Sequence, residues 1–247
     1  MNPEQRWLLE EKYHGIQSEE FAADCRRLEA GEPLAYIIGH VPFLGCTIYL
    51  DSRPLIPRPE TEFWTQQAIA SGRAQAPQQP RTVLDLCAGS GCVGVAIAHH
   101  LPHVTVTFGE LDAHHLPTIE KNLRHNTAHP ERHRLVVSDL FAAITDQFDL
   151  IVCNPPYIDP ALDRTQPSVK AYEPHLALYG GTAGLDPITR TVEQVQQHLT
   201  PHGALWLEHE PEQAATIVAT CASLGLNAVT HTDQYGVARF SVITMAQ

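Results

Sequence analysis

The fold is decided by one stretch of the chain, Val83-Leu84-Asp85-Leu86-Cys87-Ala88-Gly89-Ser90-Gly91. A short apolar run, typical of a buried strand, leads into glycines, and the helical pattern of residues 91–101 follows. Glycines at such a turn let the backbone bend sharply and approach a ligand closely, while the start of the helix offers free N–H groups. The stretch therefore predicts a strand, a ligand-binding loop and a helix in succession.

The same alternation continues to the end of the chain. Four further strands are expected at 104–108, 135–137, 148–152 and 204–207, with helices at 113–126, 187–199 and 211–223. A final pair of strands is expected at 226–231 and 237–244. We therefore predict an α/β fold, a Rossmann-like and mostly parallel sheet of seven strands with helices on both faces.

The residues before this alternation follow other patterns. Residues 3–30 indicate two short helices, and the β-like runs 36–38 and 47–50, separated by turn residues, indicate a hairpin. A helix is expected at 60–71 and a polar, proline-containing linker at 72–81. The predicted parts are therefore a helical region with a hairpin (1–52), a connecting loop, helix and linker (53–81), and the α/β domain (82–247).

Composition narrows the classes of function. The 247 residues suffice for one α/β domain with a small appendage. The formal net charge of −12 argues against stable binding to nucleic-acid phosphates. No apolar run approaches the ~20 residues of a membrane span, and the N-terminus lacks the pattern of a targeting signal. We expect a cytoplasmic protein that binds neither membranes nor nucleic acid stably.

Cysteine and histidine do not indicate a metal site. The six cysteines contain no Cys-x-x-Cys pair and are expected to be small buried residues. Among the 15 histidines, the adjacent pairs His99-His100 and His114-His115 point to different sides of a helix rather than converging. No metal is therefore expected.

Acidic residues near the ends of the first three strands suggest how a cofactor could bind. The pattern Gly-x-Gly-x-x-Gly at 89–94 also occurs in dinucleotide sites and does not decide between cofactors. Asp85 can organise the loop or meet a cationic amino group. Glu110 can accept hydrogen bonds from ribose hydroxyls or cap the following helix. Asp139 can accept from an adenine amino group or serve as a turn residue.

The loop Asn154-Pro155-Pro156-Tyr157 after the fourth strand is the most specific motif. Its prolines remove two backbone donors and leave carbonyls free to accept hydrogen bonds. The side-chain carbonyl of Asn154 and the backbone carbonyl of Pro155 can accept the two hydrogens of an NH₂ group, and Tyr157 can pack on its plane. The alternative is a rigid turn that ends a strand. The loop predicts methyl transfer to an amide or amino nitrogen, with no general base required.

Together these motifs resemble the class I methyltransferases that modify planar nitrogens. Three further segments narrow the resemblance to the peptide chain release factor glutamine methyltransferase family. These segments are Pro33-Leu34-Ala35-Tyr36-Ile37-Ile38-Gly39, Leu55-Ile56-Pro57-Arg58-Pro59-Glu60-Thr61-Glu62 and the stretch 173–186.

The resemblance implies S-adenosylmethionine as the cofactor and the glutamine of the Gly-Gly-Gln motif of a release factor as the methyl acceptor. Asn154, Pro155 and Tyr157 would be catalytic, and Pro156 and Arg58 would join them in binding the glutamine. The residues that would bind the cofactor are Asp85, Cys87, Ala88, Gly89, Ser90, Gly91, Glu110, Asp139, Leu140 and Asn154.

Three alternatives stay open at this point. The acceptor could instead be a ribosomal-protein glutamine or a nucleic-acid base, and the acidic charge counts against the base. A cofactor-binding scaffold without activity is disfavoured by the intact loop 154–157. A nicotinamide-dependent oxidoreductase is disfavoured because no acid for hydride transfer accompanies the glycines.

Overall fold

The computed structural model describes residues 1–74, 82–162 and 164–246 of the chain. Within residues 1–52, all of them described, three helices precede a two-stranded hairpin. These elements are α1 (Pro3–Tyr13), α2 (Glu19–Glu29), α3 (Leu34–Ile38), β1 (His40–Phe43) and β2 (Cys46–Tyr49). The first two helices lie where the sequence predicts them, and β2 overlaps the second predicted strand of the hairpin.

The predicted strand at 36–38 is wrong, because these residues lie in α3. A short apolar run fits a helix as well as a strand, and the flanking residues decide here. Pro33 precedes the first helical turn, and Gly39 ends the helix with a left-handed φ of 95°. Ile37 then packs with Leu8 and Phe21 in a small N-terminal core, and the hairpin begins only at β1.

The connecting helix is longer than predicted. It forms α4 (Pro59–Ala74), so that the predicted linker at 72–81 begins inside the helix. The remainder of that linker, 75–81, lies outside the described residues.

The described residues from 82 onward contain a sheet of seven strands. In spatial order these are β5 (Arg134–Val137), β4 (Thr105–Glu110), β3 (Thr82–Leu86), β6 (Phe148–Cys153), β7 (Leu199–Glu208), β9 (Ala238–Met245) and β8 (Leu226–Thr232). The strands from β5 to β7 are parallel, and β9 runs antiparallel to both of its neighbours. The predicted mostly parallel sheet is confirmed.

Helices cover both faces of this sheet, as predicted. Successive strand residues point to opposite faces, so Val83 belongs to one core and Leu84 to the other. The first core includes residues of α4, α5 (Cys92–His100) and α6 (Leu116–Asn126). The second includes residues of α8 (Asp186–Val195) and α9 (Ala214–Ser223). A short helix, α7 (Pro167–Tyr172), was not predicted.

In the second half, the largest differences from the predicted boundaries lie between residues 195 and 204. The helix predicted at 187–199 ends at Val195, and β7 begins at Leu199 instead of residue 204. Leu199 fits the helical period of the preceding residues, but it pairs with Phe148 in the sheet and therefore belongs to the strand. No helix in the described ranges has the length and apolarity needed to cross a bilayer.

Candidate active site

The two predicted motifs meet at the point where the chain changes direction in the sheet. From β3 the chain moves outward through β4 and β5, and β6 then lies on the opposite side of β3. In such sheets ligands bind in the crevice at the carboxyl ends of the diverging strands. Leu86 pairs with Cys153 at this edge, so the loops 87–91 and 154–157 begin side by side.

A cavity of about 240 Å³ follows the carboxyl ends of β3, β4 and β5, and we call it the strand-end cavity. Six of the residues predicted to bind a cofactor line it: Cys87, Gly89, Glu110, Asp139, Leu140 and Asn154. The other four are buried and do not line it: Asp85, Ala88, Ser90 and Gly91. Gly91 has a left-handed φ of 75°, and a Cβ there would press against Ile119, so the turn requires glycine.

Glu110 ties the glycine loop to the end of β4. Its Oε2 accepts a hydrogen bond from the backbone N–H of Gly89 at 2.7 Å, and its Oε1 accepts from that of Asp112 at 2.9 Å. The alternative role for Glu110, a helix cap, is wrong. The cap is Asp112, whose side chain accepts from the N–H of His114. Glu110 therefore directs a nearly buried carboxylate to the rim of the strand-end cavity.

Asp85 lies beneath the loop rather than in the cavity. Its Oδ2 accepts a hydrogen bond from the N–H of Gly94 at 2.8 Å, which fixes the first turn of α5 against β3. Burial raises the pKa of this carboxyl to about 8, and the nearby charge of Glu110 also raises it. Of the two roles open from the sequence, the contacts favour organisation of the loop.

The far end of the strand-end cavity combines an apolar wall with a carboxylate. Leu140 adopts a left-handed φ of 50°, and the hydroxyl of Ser138 donates to its carbonyl at 2.6 Å. Asp139 is half-exposed and forms an ion pair with Arg190 at 2.8 Å. Arg190 on α8 also lines the cavity and was not predicted.

A second cavity of about 430 Å³, the outer cavity, lies on the other side of the loop 154–157. Asn154, Pro155 and Tyr157 line it, whereas Pro156 lines the strand-end cavity. Asn154, Leu55 and Ala177 line both cavities, so the two cavities adjoin at these residues.

Behind the loop lies a buried hydrogen-bond network that the sequence analysis missed. Glu208, at the end of β7, is fully buried and accepts from the hydroxyls of Thr61 at 2.8 Å and Tyr157 at 2.9 Å, and from the indole N–H of Trp64. The Nδ2 of Asn154 donates to Thr61 Oγ1 at 3.2 Å. Burial raises the pKa of Glu208 above its ordinary value, and also raises that of Tyr157.

Arg58 was predicted to bind the substrate, and it lines the outer cavity. One nitrogen of its guanidinium group already forms an ion pair. Its Nη2 pairs with the carboxylate of Glu173, whose side chain is 1% exposed. The other carboxylate oxygen accepts from the N–H of Ile56 at 3.0 Å. The pair therefore joins the connecting loop before α4 to the segment after α7.

The chain is similar in sequence to known methyltransferases. A family model described as Methyltransferase small domain matches residues 73–169. The chain is 36% identical to the release factor glutamine methyltransferase of Chlamydia trachomatis serovar L2, over 78% of this chain and 66% of that protein. It thus spans slightly less than two thirds of that relative. It is 38% identical to the release factor glutamine methyltransferase of Geobacter sulfurreducens, over 91% of this chain and 78% of that protein.

The fold of the chain is also similar to that of a solved structure. A methyltransferase from Pyrococcus furiosus matches with a TM-score of 0.52 and 18% identity, over 76% of this chain and 86% of that chain. Its similarity supports the arrangement of the α/β sheet.

Proposed function

Because the chain belongs to the release factor glutamine methyltransferase family, we propose that it transfers a methyl group from S-adenosylmethionine to the side-chain amide nitrogen of a protein glutamine. The observation that carries this proposal is the position of Asn154 between the strand-end cavity and the outer cavity. A methyl donor in the first and a glutamine side chain in the second would be in contact at this residue.

The residues of the strand-end cavity fit the cofactor. The carboxylate of Glu110 suits ribose hydroxyls, that of Asp139 suits an adenine amino group, and Leu140 offers an apolar surface to the base. The loop 87–91 would hold the remainder. When bound, S-adenosylmethionine supplies a methyl group that its positively charged sulfur already activates.

The loop 154–157 would hold the acceptor. The nitrogen of an amide is a poor nucleophile because its lone pair is delocalised into the carbonyl. The side-chain oxygen of Asn154 and the backbone carbonyl of Pro155 would accept its two hydrogens and direct the lone pair toward the methyl group. Fixed acceptors of this kind stabilise the transition state without reorganising during the reaction. Tyr157 would pack its ring on the amide plane, and we assign no general base.

We further propose the glutamine of a Gly-Gly-Gln motif in a peptide chain release factor as the acceptor, and the cytoplasm as the location. The names of the relatives support this substrate. The net charge of −12 disfavours a nucleic-acid base.

The test is incubation of the protein with labelled S-adenosylmethionine and a bacterial release factor, followed by mass spectrometry of the Gly-Gly-Gln peptide. We expect one methyl group on that glutamine. Parallel reactions contain ribosomal proteins and RNA. Label in either of these, with none on the release factor, would overturn the proposed substrate. Asn154→Ala should reduce turnover much more than affinity for S-adenosylmethionine, and equal losses would make Asn154 a cofactor ligand only.

A further inference from the structure

Glu208 is the most heavily hydrogen-bonded buried carboxylate beside the site, yet it lines neither the strand-end cavity nor the outer cavity. Its Oε2 accepts from Thr61 and Trp64, and its Oε1 accepts from Tyr157. A carboxylate without contact to water needs such partners. Two of these partners connect Glu208 to the loop 154–157: Thr61 contacts Asn154, and Tyr157 is itself part of the loop.

The direction of each hydrogen bond in this network follows from its donors. The indole nitrogen of Trp64 can only donate, so Oε2 of Glu208 must accept from it. The hydroxyl of Thr61 has one hydrogen, which it donates to the same oxygen. Only lone pairs of that hydroxyl then remain for Asn154.

The carboxamide of Asn154 must consequently present its NH₂ group to Thr61, as the 3.2 Å contact of Nδ2 shows. Its Oδ1 then points away from Thr61, and no described residue donates a hydrogen bond to it. An Asn154 carboxamide rotated by 180° would occupy nearly the same space. It would then present NH₂ to the substrate amide, whose own NH₂ group needs an oxygen as hydrogen-bond partner.

We propose that Glu208, acting through Thr61, sets the orientation of Asn154 so that its oxygen faces the reacting nitrogen. This inference rests on the proposed function, because the orientation matters only if an NH₂ group is the acceptor. Glu208 and Thr61 are positioning residues that do not touch the substrate. The second oxygen of Glu208 holds the hydroxyl of Tyr157, so one carboxylate orients both ends of the loop.

The test uses substitutions of two buried threonines on α4. Thr61→Val removes the hydroxyl and keeps the shape, whereas Thr61→Ser keeps the hydroxyl. Thr65→Val is the matched control, because Thr65 is equally buried but its hydroxyl donates to the backbone carbonyl of Thr61 and does not contact Asn154. Turnover on a bacterial release factor, thermal stability and the Kd for S-adenosylmethionine are measured for each.

We expect Thr61→Val to lower kcat about tenfold or more, with the Kd for S-adenosylmethionine and the thermal midpoint close to those of Thr65→Val. Thr61→Ser should restore most of the turnover. Equal turnover in Thr61→Val and Thr65→Val would overturn the proposal.

A double-mutant cycle separates orientation from a general structural effect. If Thr61 acts through Asn154, adding Thr61→Val to Asn154→Ala should leave the residual turnover unchanged. A further loss by the same factor as in the wild-type background would overturn the inference. If the wild-type protein does not methylate the release factor, the proposed function is overturned, and the inference about Asn154 falls with it.

Discussion

Because the carboxyl of Asp85 is buried, we expect the free energy of unfolding to fall as the pH rises. Burial raises its pKa from the ordinary 3.8 to about 8 in the folded chain. The unfolded chain releases this proton near pH 4, whereas the folded chain retains it up to about pH 8. Below about pH 4 Asp85 is protonated in both states, and its effect on the free energy of unfolding does not change with pH. Between about pH 4 and about pH 8 the free energy of unfolding falls by about 1.4 kcal/mol per pH unit.

Asp85→Asn removes this titration while keeping the shape of the side chain and an acceptor for the N–H of Gly94. The free energy of unfolding is measured by urea denaturation at about pH 5.5 and about pH 7.5. Between them it should fall by roughly 2–3 kcal/mol more in the wild type than in the variant. Asp51→Asn, at a half-exposed position, controls for the exchange of a carboxylate for an amide. Parallel pH profiles of wild type and Asp85→Asn would refute the reasoning.

Three further predictions concern the surroundings of the two cavities. A methyl group at Gly94 would overlap the buried ring of Phe108, so Gly94→Ala should lower the free energy of unfolding by about 1–3 kcal/mol; an unchanged thermal midpoint would contradict this. Arg58→Met leaves the carboxylate of Glu173 buried without its cation and should cost about 1–3 kcal/mol, since the pair is partly solvated. Adding Glu173→Gln should recover part of that loss in urea denaturation, and no recovery would argue against a charge effect. Glu110→Gln should weaken S-adenosylmethionine binding about tenfold in calorimetry, and an unaltered Kd would remove Glu110 from the site.

The sheet and its loops could be predicted because their signals are local. An apolar run followed by glycines, or by Asn-Pro-Pro-Tyr, identifies a strand end wherever its neighbours lie in space. The rule for parallel sheets then brings those ends together, and the pairing of Leu86 with Cys153 agrees. Glu208 is the last residue of its own strand, so attention to every acidic residue at a carboxyl end would have found it.

What could not be predicted depends on contacts between distant parts of the chain. The run 36–38 suits a helix or a strand equally until Ile37 has a core to enter. The acidic residue that caps the turn after β4 is Asp112, because the carboxylate of Glu110 is taken by the N–H of Gly89. The bond from Thr61 to Glu208 spans 147 positions, and no sequence period connects the two.

Helix α4 lies before the first strand of the central sheet, yet it supplies the hydroxyl that Asn154 contacts and the indole that meets Glu208. A chain shortened to begin at residue 82 would still contain the sequence of all seven strands, but it would lose Thr61 and the α4 side chains of the first core. The residues that form the sheet and those that contact Asn154 therefore have different limits along the sequence. A design that transplanted only the sheet would therefore lack the hydroxyl that holds the carboxamide of Asn154 in one orientation.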